Sequence, residues 1–579
     1  MKRISLLLPF IFLTASCSKP FPTKDHMIDV MVEKGDGFDV LSPSIRIHSG
    51  EDALFQLRLN NSSLISSVSY SKNSISYQDN LATLTLFDVK YPLTVKVTTS
   101  ETYIHVHTDA KEGSDFFPYP IYREHLRINT PIQTGLYKQG YQLFGFKEDL
   151  LSTSSIPLGS RFSKKTEDLY PDFRKETGTD NLIYREKEDG SLCLLSCLSD
   201  EPEIILPESI EGKKVTGILE GCFRNKRIKT LHLPKSITSI EKGSFIDCSI
   251  DTLSLYDNMK RISDDCFLDS TVNSLRINTD QLPAYMNTYF ALFPDKVDLL
   301  IKNRGKKKLV LFSGSTTRYG YDSTYFRKAY PDYEPVNMGV FAYTNQSAQL
   351  EIIEHFLEDG DVLLVSPEFD SNAFDYQMFK DHTLDSRFFR MVEGDYALFS
   401  YLPLQEYDHV FDTFLKHCQD KALAQKQEFS LSPLYFDDDG NRHSEKLYNQ
   451  YLDFSMERIG EVKEGRIYQP EIDFTTKRFT DAYFDSYNNF YQSYTEKDIR
   501  IYFTYSPRNK DSLTEESTPE NRKRLEELLK RKIELPIISS FEDCLYPAYD
   551  FYLIDDHLTS EASIIRTKKV IEDLRPYLS

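Results

Sequence analysis

A serine at the end of an apolar run and a histidine just ahead of a helix are the residues of this chain best placed to do chemistry. Residues 308–323, KLVLFSGSTTRYGYDS, read as a buried strand that breaks into a small-residue turn presenting Ser315. Far downstream, the segment IDDHLTSEAS holds His557, preceded by Asp555 and Asp556. A hydroxyl is a weak nucleophile until a neighbouring base takes its proton, and a neutral imidazole suits that task near neutral pH. The pair therefore points to covalent catalysis by a serine with a histidine base, provided the fold brings them together. A parallel α/β sheet does so, because it gathers residues from the carboxyl ends of its strands into one crevice.

The elements needed for such a sheet are legible from residue 306 onward. KKLVLFSG, EPVNMGV, GDVLLVSPEF, DIRIYFTYS and LPIISS are short apolar runs without clean alternation, as expected for strands covered on both faces. Between them lie amphipathic helical segments, NQSAQLEIIEHFLE, PENRKRLEELLKRKIE and SEASIIRTKKVIEDL. This order predicts a doubly wound parallel sheet over 306–579. The polar, Tyr-rich stretch from 435 to 495 reads as an insertion beside it. Within that stretch DDDGNR at 437–442 has the flavour of a calcium loop. Position six is Arg442 and position twelve Tyr448, so it reads as a solvated turn.

FSGSTTRYGYDS, VNMG, EDGDVLLVSPEFDSN and DDHLTSEASIIRTKKVIEDL, in that order, resemble the SGNH/GDSL hydrolase superfamily, nearest to its divergent envelope-associated branch. The resemblance spans 306–579. It implies Ser315 as nucleophile, His557 as general base, and Asp555 as the acid orienting the imidazole, with Asp556 the alternative. The family's acid commonly stands three residues before its histidine, where this chain has Ile554; Asp555 is preferred on the premise that the segment is extended. Gly339 matches the glycine whose N–H helps bind the oxyanion, beside the N–H of Ser315 itself. The family's side-chain oxyanion donor is an asparagine without a clear counterpart here. Glu368 and Asn372 follow the strand DVLLVSPEF, and Asn345 lies in the loop after Gly339. Loss of one such donor costs on the order of 3–4 kcal/mol of transition-state stabilisation.

Upstream, MKRISLLLPFIFLTASC reads as an export signal, with a basic start, an apolar stretch too short to span a bilayer, and small residues before Cys17. Cys17 there resembles a lipobox cysteine, which implies cleavage before it and a lipid on its thiol. Residues 18–35 read as a tether. Over 36–180, runs such as SIRIHSG, ALFQLRLNN and ATLTLFDV, separated by Asn/Ser/Asp/Gly turns, predict a β-rich region. From 181 to 280 the chain repeats, with Phe223, Phe245 and Phe267 in one column and Leu231, Leu253 and Leu275 in another. That fixed period predicts a short leucine-rich solenoid capped by its neighbours, and its pattern resembles BspA-type surface repeats. Residues 281–305 form a connector. Cys222 and Cys266 stand two turns apart, about 10 Å at the usual strand spacing, so both are expected as buried thiols rather than a disulfide.

A multidomain protein follows: a β-rich N-terminal domain, a leucine-rich solenoid, and a C-terminal α/β doubly wound sheet. Its formal net charge of −20 argues against nucleic acid as a partner. No H-E-x-x-H, P-loop or Rossmann fingerprint occurs, so neither cofactor nor metal is expected. Two functions are carried forward. One is an exported, lipid-anchored serine esterase or O-acyltransferase acting on acylated envelope or extracellular glycans. The other is an adhesin or scaffold whose repeats bind a protein ligand and whose α/β domain is inert.

Overall fold

The computed structural model describes residues 26–578 apart from 101–104, 107–120, 123–124, 128–137, 164–167, 280–283, 286–289, 369–383, 425–447 and a few shorter stretches. Residues 1–25 with the expected signal segment and Cys17, as well as Asn372 and residues 437–442, lie outside the described residues. The chain forms two compact units, one of 1–103 with 116–122 and one of 104–115 with 123–579.

In the first unit, strands Ser44–His48, Met27–Val32 and Leu93–Val95 make one sheet. Phe38–Val40, Glu51–Leu59, Leu81–Val89 and Asn73–Gln78 make a second. Alternation drives both: Ile28, Val30 and Val32 from one sheet meet Phe55, Leu57, Leu84 and Leu86 from the other in a single apolar core. The tether expected over 18–35 is therefore too long. MIDVMV alternates apolar residues inward, and that pattern makes Met27–Val32 a strand.

The β-rich region also divides where the sequence placed no boundary. Strands Tyr141–Lys147 and Asp168–Lys175 pair antiparallel and belong with the repeats. Arg276, in the last repeat strand, donates to the carbonyls of Phe144 and Ser155, and its guanidinium lies 4.2 Å from the Phe144 ring centre. A boundary at 180 would cut through these contacts.

The repeats stack in parallel strands, Glu203–Ile205, Arg227–His232, Ser249–Tyr256 and Thr271–Asn278. Leu231, Leu253 and Leu275 stand in register across them. The phenylalanine column stacks face to face, Phe223 on Phe245 at 5.1 Å and Phe245 on Phe267 at 4.7 Å. Phe411, from helix Val410–Ala424 of the α/β region, continues the stack at 4.3 Å from Phe267. At the other end the hairpin Leu182–Glu186/Leu192–Cys197 pairs onto the array. Cys222 and Cys266 are buried free thiols.

The last region is built on four parallel strands in the spatial order Glu334–Asn337, Lys308–Phe312, Val362–Val365, Arg500–Phe503. Alternate residues of the first strand in sequence face opposite ways. Val310 and Phe312 join the large core shared with the repeats. Leu309 and Leu311 pack with Phe326, Val570, Ile571 and Leu574 of helices Ser323–Ala329 and Ser560–Leu578. Coverage on both faces is why these strands are wholly apolar. The second and third strands in sequence lie on opposite sides of the first, so the sheet reverses direction at the carboxyl end of Lys308–Phe312, where such sheets open a crevice.

Candidate active site

Ser315 begins a short helix, Ser315–Gly320, directly after the Ser313-Gly314 turn that ends the central strand. His557 stands at the end of a compact loop before the last helix, which Thr559 caps by accepting from the Ala562 amide at 3.2 Å. Across 242 residues of sequence, Ser315 Oγ and His557 Nε2 meet at 2.9 Å. The Tyr319 ring lies 4.3 Å from the imidazole, tilted over it.

The surroundings favour the neutral imidazole. Burial pulls its pKa down to about 4, Arg318 and Arg458 push the same way, and Asp556 opposes them. With Nε2 accepting from the serine hydroxyl, the ring proton belongs on Nδ1, and that atom has no hydrogen-bond partner in the structure.

Neither expected aspartate bonds the imidazole. Asp555 does not reach His557: its carboxylate accepts from the amides of Tyr468 and Gln469 at 2.7 and 2.8 Å and from Asn509 Nδ2 at 2.8 Å. The premise of an extended segment fails here. Leu553 is in the left-handed region at φ 64°, and the Tyr552 amide donates to the His557 carbonyl at 2.7 Å, closing a tight loop. Asp556 is the carboxylate beside the imidazole, 3.7 Å from Nε2, and Gln469 Nε2 holds its other oxygen at 3.1 Å.

The expected oxyanion group is also arranged differently. Gly339 lies under helix Ser315–Gly320, where a Cβ would stand 2.4 Å from the Arg318 nitrogen, so only glycine fits. Its amide donates to Asn337 Oδ1 at 2.9 Å and is thereby committed. Asn345 is buried at the start of helix Gln346–Glu354, its Oδ1 taken by the Asp385 amide at 3.0 Å. Glu368 is buried at the site and accepts from the Thr316 amide at 2.8 Å, next to Ser315. The Ser315 amide, first in its helix, has no acceptor within that helix.

Several positioning side chains carried no sequence signal. Asn337 donates to Thr317 O and to Asp453, which in turn accepts from the Ser323 amide and hydroxyl at 2.7 and 2.8 Å. Lys296 reaches Asn337 O from below, and burial lowers its pKa to about 7. Asp453, Arg458 and Gln469 all come from the stretch read as an insertion beside the sheet. The partners of Arg458 are mostly backbone carbonyls, which every residue possesses, and those of Asp453 and Gln469 are side chains mostly remote in sequence, so no spacing betrays them. Among the described residues, no group of three or more His, Cys, Asp or Glu could hold a metal ion, and no helix is long and apolar enough to cross a membrane.

Comparison with known proteins bears on the repeats. No curated protein sequence matches the chain. The crystal structure of the T. pallidum leucine-rich repeat protein aligns with 24% of this chain and 75% of that one at 16% identity, with a TM-score of 0.13, too low to argue a common architecture. Residues 208–292 match the BspA type leucine rich repeat region in six copies, a repeat class typical of bacterial surface proteins. What stands between the β-rich strands and the parallel sheet is thus a BspA-type leucine-rich array.

Proposed function

We propose that residues 306–579 form a serine-dependent O-acyl esterase or acyltransferase of SGNH/GDSL type, acting on acyl esters of envelope or extracellular glycans. The observation that carries this reading is the 2.9 Å approach of Ser315 Oγ to His557 Nε2 at the reversal point of a parallel sheet. In the proposed reaction Ser315 Oγ bonds to the ester carbon as its proton passes to His557 Nε2. The carbonyl oxygen becomes an oxyanion facing the Ser315 amide. Collapse breaks the ester bond, and the imidazolium returns its proton to the departing alkoxide. Water or a sugar hydroxyl then attacks the acyl-serine with His557 again as base, releasing an acid or a new ester. Asp556 stabilises the imidazolium through its charge. In this reading the protein is exported and held by lipid at Cys17, and the repeats offer a surface for a protein or glycan ligand.

A second reading, an inert scaffold, draws on two observations. His557 Nδ1 lacks the carboxylate partner of a full triad, and the Glu368 carboxylate sits on the amide next to the nucleophile. A fluorophosphonate probe on the secreted chain separates the two. Labelling that disappears in Ser315→Ala is the expected result. An unlabelled parent that turns over no aryl or sugar acetate leaves the scaffold.

A further inference from the structure

Two remote pieces of chain, the nucleophile helix and the base loop, must be held together for Ser315 and His557 to meet. One buried side chain touches both. Arg458 is 4% exposed and lies outside the parallel sheet, in the segment between its third and fourth strands in sequence. Its Nε donates to Leu558 O at 2.9 Å, the residue after the base. Nη2 donates to Tyr319 O at 3.1 Å, in the nucleophile helix, and to Ser563 Oγ at 3.3 Å, in the last helix. Nη1 donates to Phe454 O at 2.7 Å and Met456 O at 3.4 Å, within its own segment.

All five N–H groups of the guanidinium thus have acceptors, and every one is a carbonyl or hydroxyl oxygen. The backbone of Arg458 adds two bonds to the same helix start: its amide donates to Ser560 Oγ at 2.9 Å, and its carbonyl accepts from the Ser560 amide at 3.0 Å. A buried cation with no carboxylate partner is costly, and here its charge lies near the imidazole. Lysine offers three rotatable donors where the guanidinium offers five in fixed directions, so it cannot hold all these acceptors at once.

We propose that Arg458 is the positioning residue of the Ser315–His557 pair: it clamps the base loop to the nucleophile helix and makes the 448–476 segment part of the reaction centre. The proposal rests on the hydrolase reading above and names the part that assembles its site. The charged and titratable groups around His557 are Asp556 and Tyr552 on its own loop, Arg318 and Tyr319 on the nucleophile helix, and Arg458 on the segment. Among them Arg458 alone spans the two halves and also bears a charge that disfavours the imidazolium.

The test uses the full secreted chain as Arg458→Lys and Arg458→Gln. The readouts are the rate of fluorophosphonate labelling at Ser315 across pH, and the NMR titration of His557 in protein carrying labelled histidine, with His557→Gln to assign the signal. Lysine keeps the charge and loses the fork, so labelling is expected to slow about 100-fold while His557 titrates as in the parent. Glutamine also removes the charge, so slower labelling is expected together with a His557 titration moved upward, toward the ordinary value of about 6.5. Parental rates in both variants overturn the proposal, as does a glutamine variant whose rate falls only with its melting temperature and whose His557 titration is unmoved. Should the glutamine variant fail to fold, the lysine variant decides on its rate. A parent that never labels defeats the hydrolase reading instead, and the His557 titrations then decide on their own whether Arg458 governs that loop.

Discussion

The imidazole of the candidate site stays neutral in mild acid as well as at neutrality. His557 is held down to about 4, first by burial, so it stays neutral through the range where an exposed histidine would be charged. Fluorophosphonate labelling of Ser315 is expected to persist to about pH 5 and to fall near 4, and a pH–rate profile checks it. The same shift has a stability consequence. Between about 4 and 6.5 the unfolded chain binds the proton and the folded one does not, so stability falls as pH drops through that window. The two aspartates of the loop should separate cleanly. Asp555→Asn sets a donor against either the Tyr468 and Gln469 amides or Asn509 Nδ2 and is expected to cost about 3 kcal/mol, read as a lower melting temperature with the His557 titration unchanged. Asp556→Asn removes the charge that favours the imidazolium, so the His557 titration should move down with little change in melting.

At the scale of elements, the nucleophile helix is placed by what lies beneath it. Gly339 allows the end of the second strand to pass directly under Arg318 and Gly314, and Asn337 then ties Thr317 to Asp453. Gly339→Ala would put a methyl 2.4 Å from the Arg318 nitrogen, so the helix must lift. The expected outcome is a loss of about 1–3 kcal/mol on thermal or urea unfolding, with labelling of Ser315 slowed by more than that loss explains. Unchanged labelling in a folded Gly339→Ala protein would count against any need for this close approach. The 448–476 segment illustrates a related point. It has no regular structure to speak of, yet it supplies Asp453, Arg458 and Gln469 to three sides of the site.

Across the whole molecule, the repeats and the α/β region share one core rather than meeting as separable modules. The phenylalanine stack of the array ends on Phe411, and a buried ionic cluster lies at the same junction. Lys421 pairs with Asp257 of the repeats and with Glu393 at 2.9 Å. Tyr396 bridges Asp257 and His417 at 2.9 and 3.0 Å. Lys421→Met leaves two buried carboxylates without their cation and is expected to cost about 3–5 kcal/mol. Because the junction is shared, that loss should appear in the repeats as well as in the α/β region, which hydrogen exchange of the two parts can report. Excision of 306–579 exposes Phe411 and the cluster together, and the fragment is expected to aggregate or bind a hydrophobic dye rather than fold as a monomer.

What the sequence alone determined is whatever has a local or periodic signature. Four of the five apolar runs form the parallel strands, LPIISS making only a bridge from Ile537 to Phe503; a 22-residue recurrence marks the solenoid, and a small-residue turn and a helix start mark Ser315 and His557 as candidates. Alternation in MIDVMV carries the same kind of signal, within a stretch whose polar surroundings read as a tether. Tertiary structure alone decided which aspartate faces the imidazole, because one left-handed residue, Leu553, turns an extended dipeptide into a closed loop. It alone committed the Gly339 amide to Asn337 and set Glu368 on Thr316. It alone brought Arg458 to the junction of helix and loop. The reason is physical: these contacts are to backbone carbonyls and amides, groups that every residue carries, so their partners are chosen by where the chain passes and leave no mark in residue type or spacing.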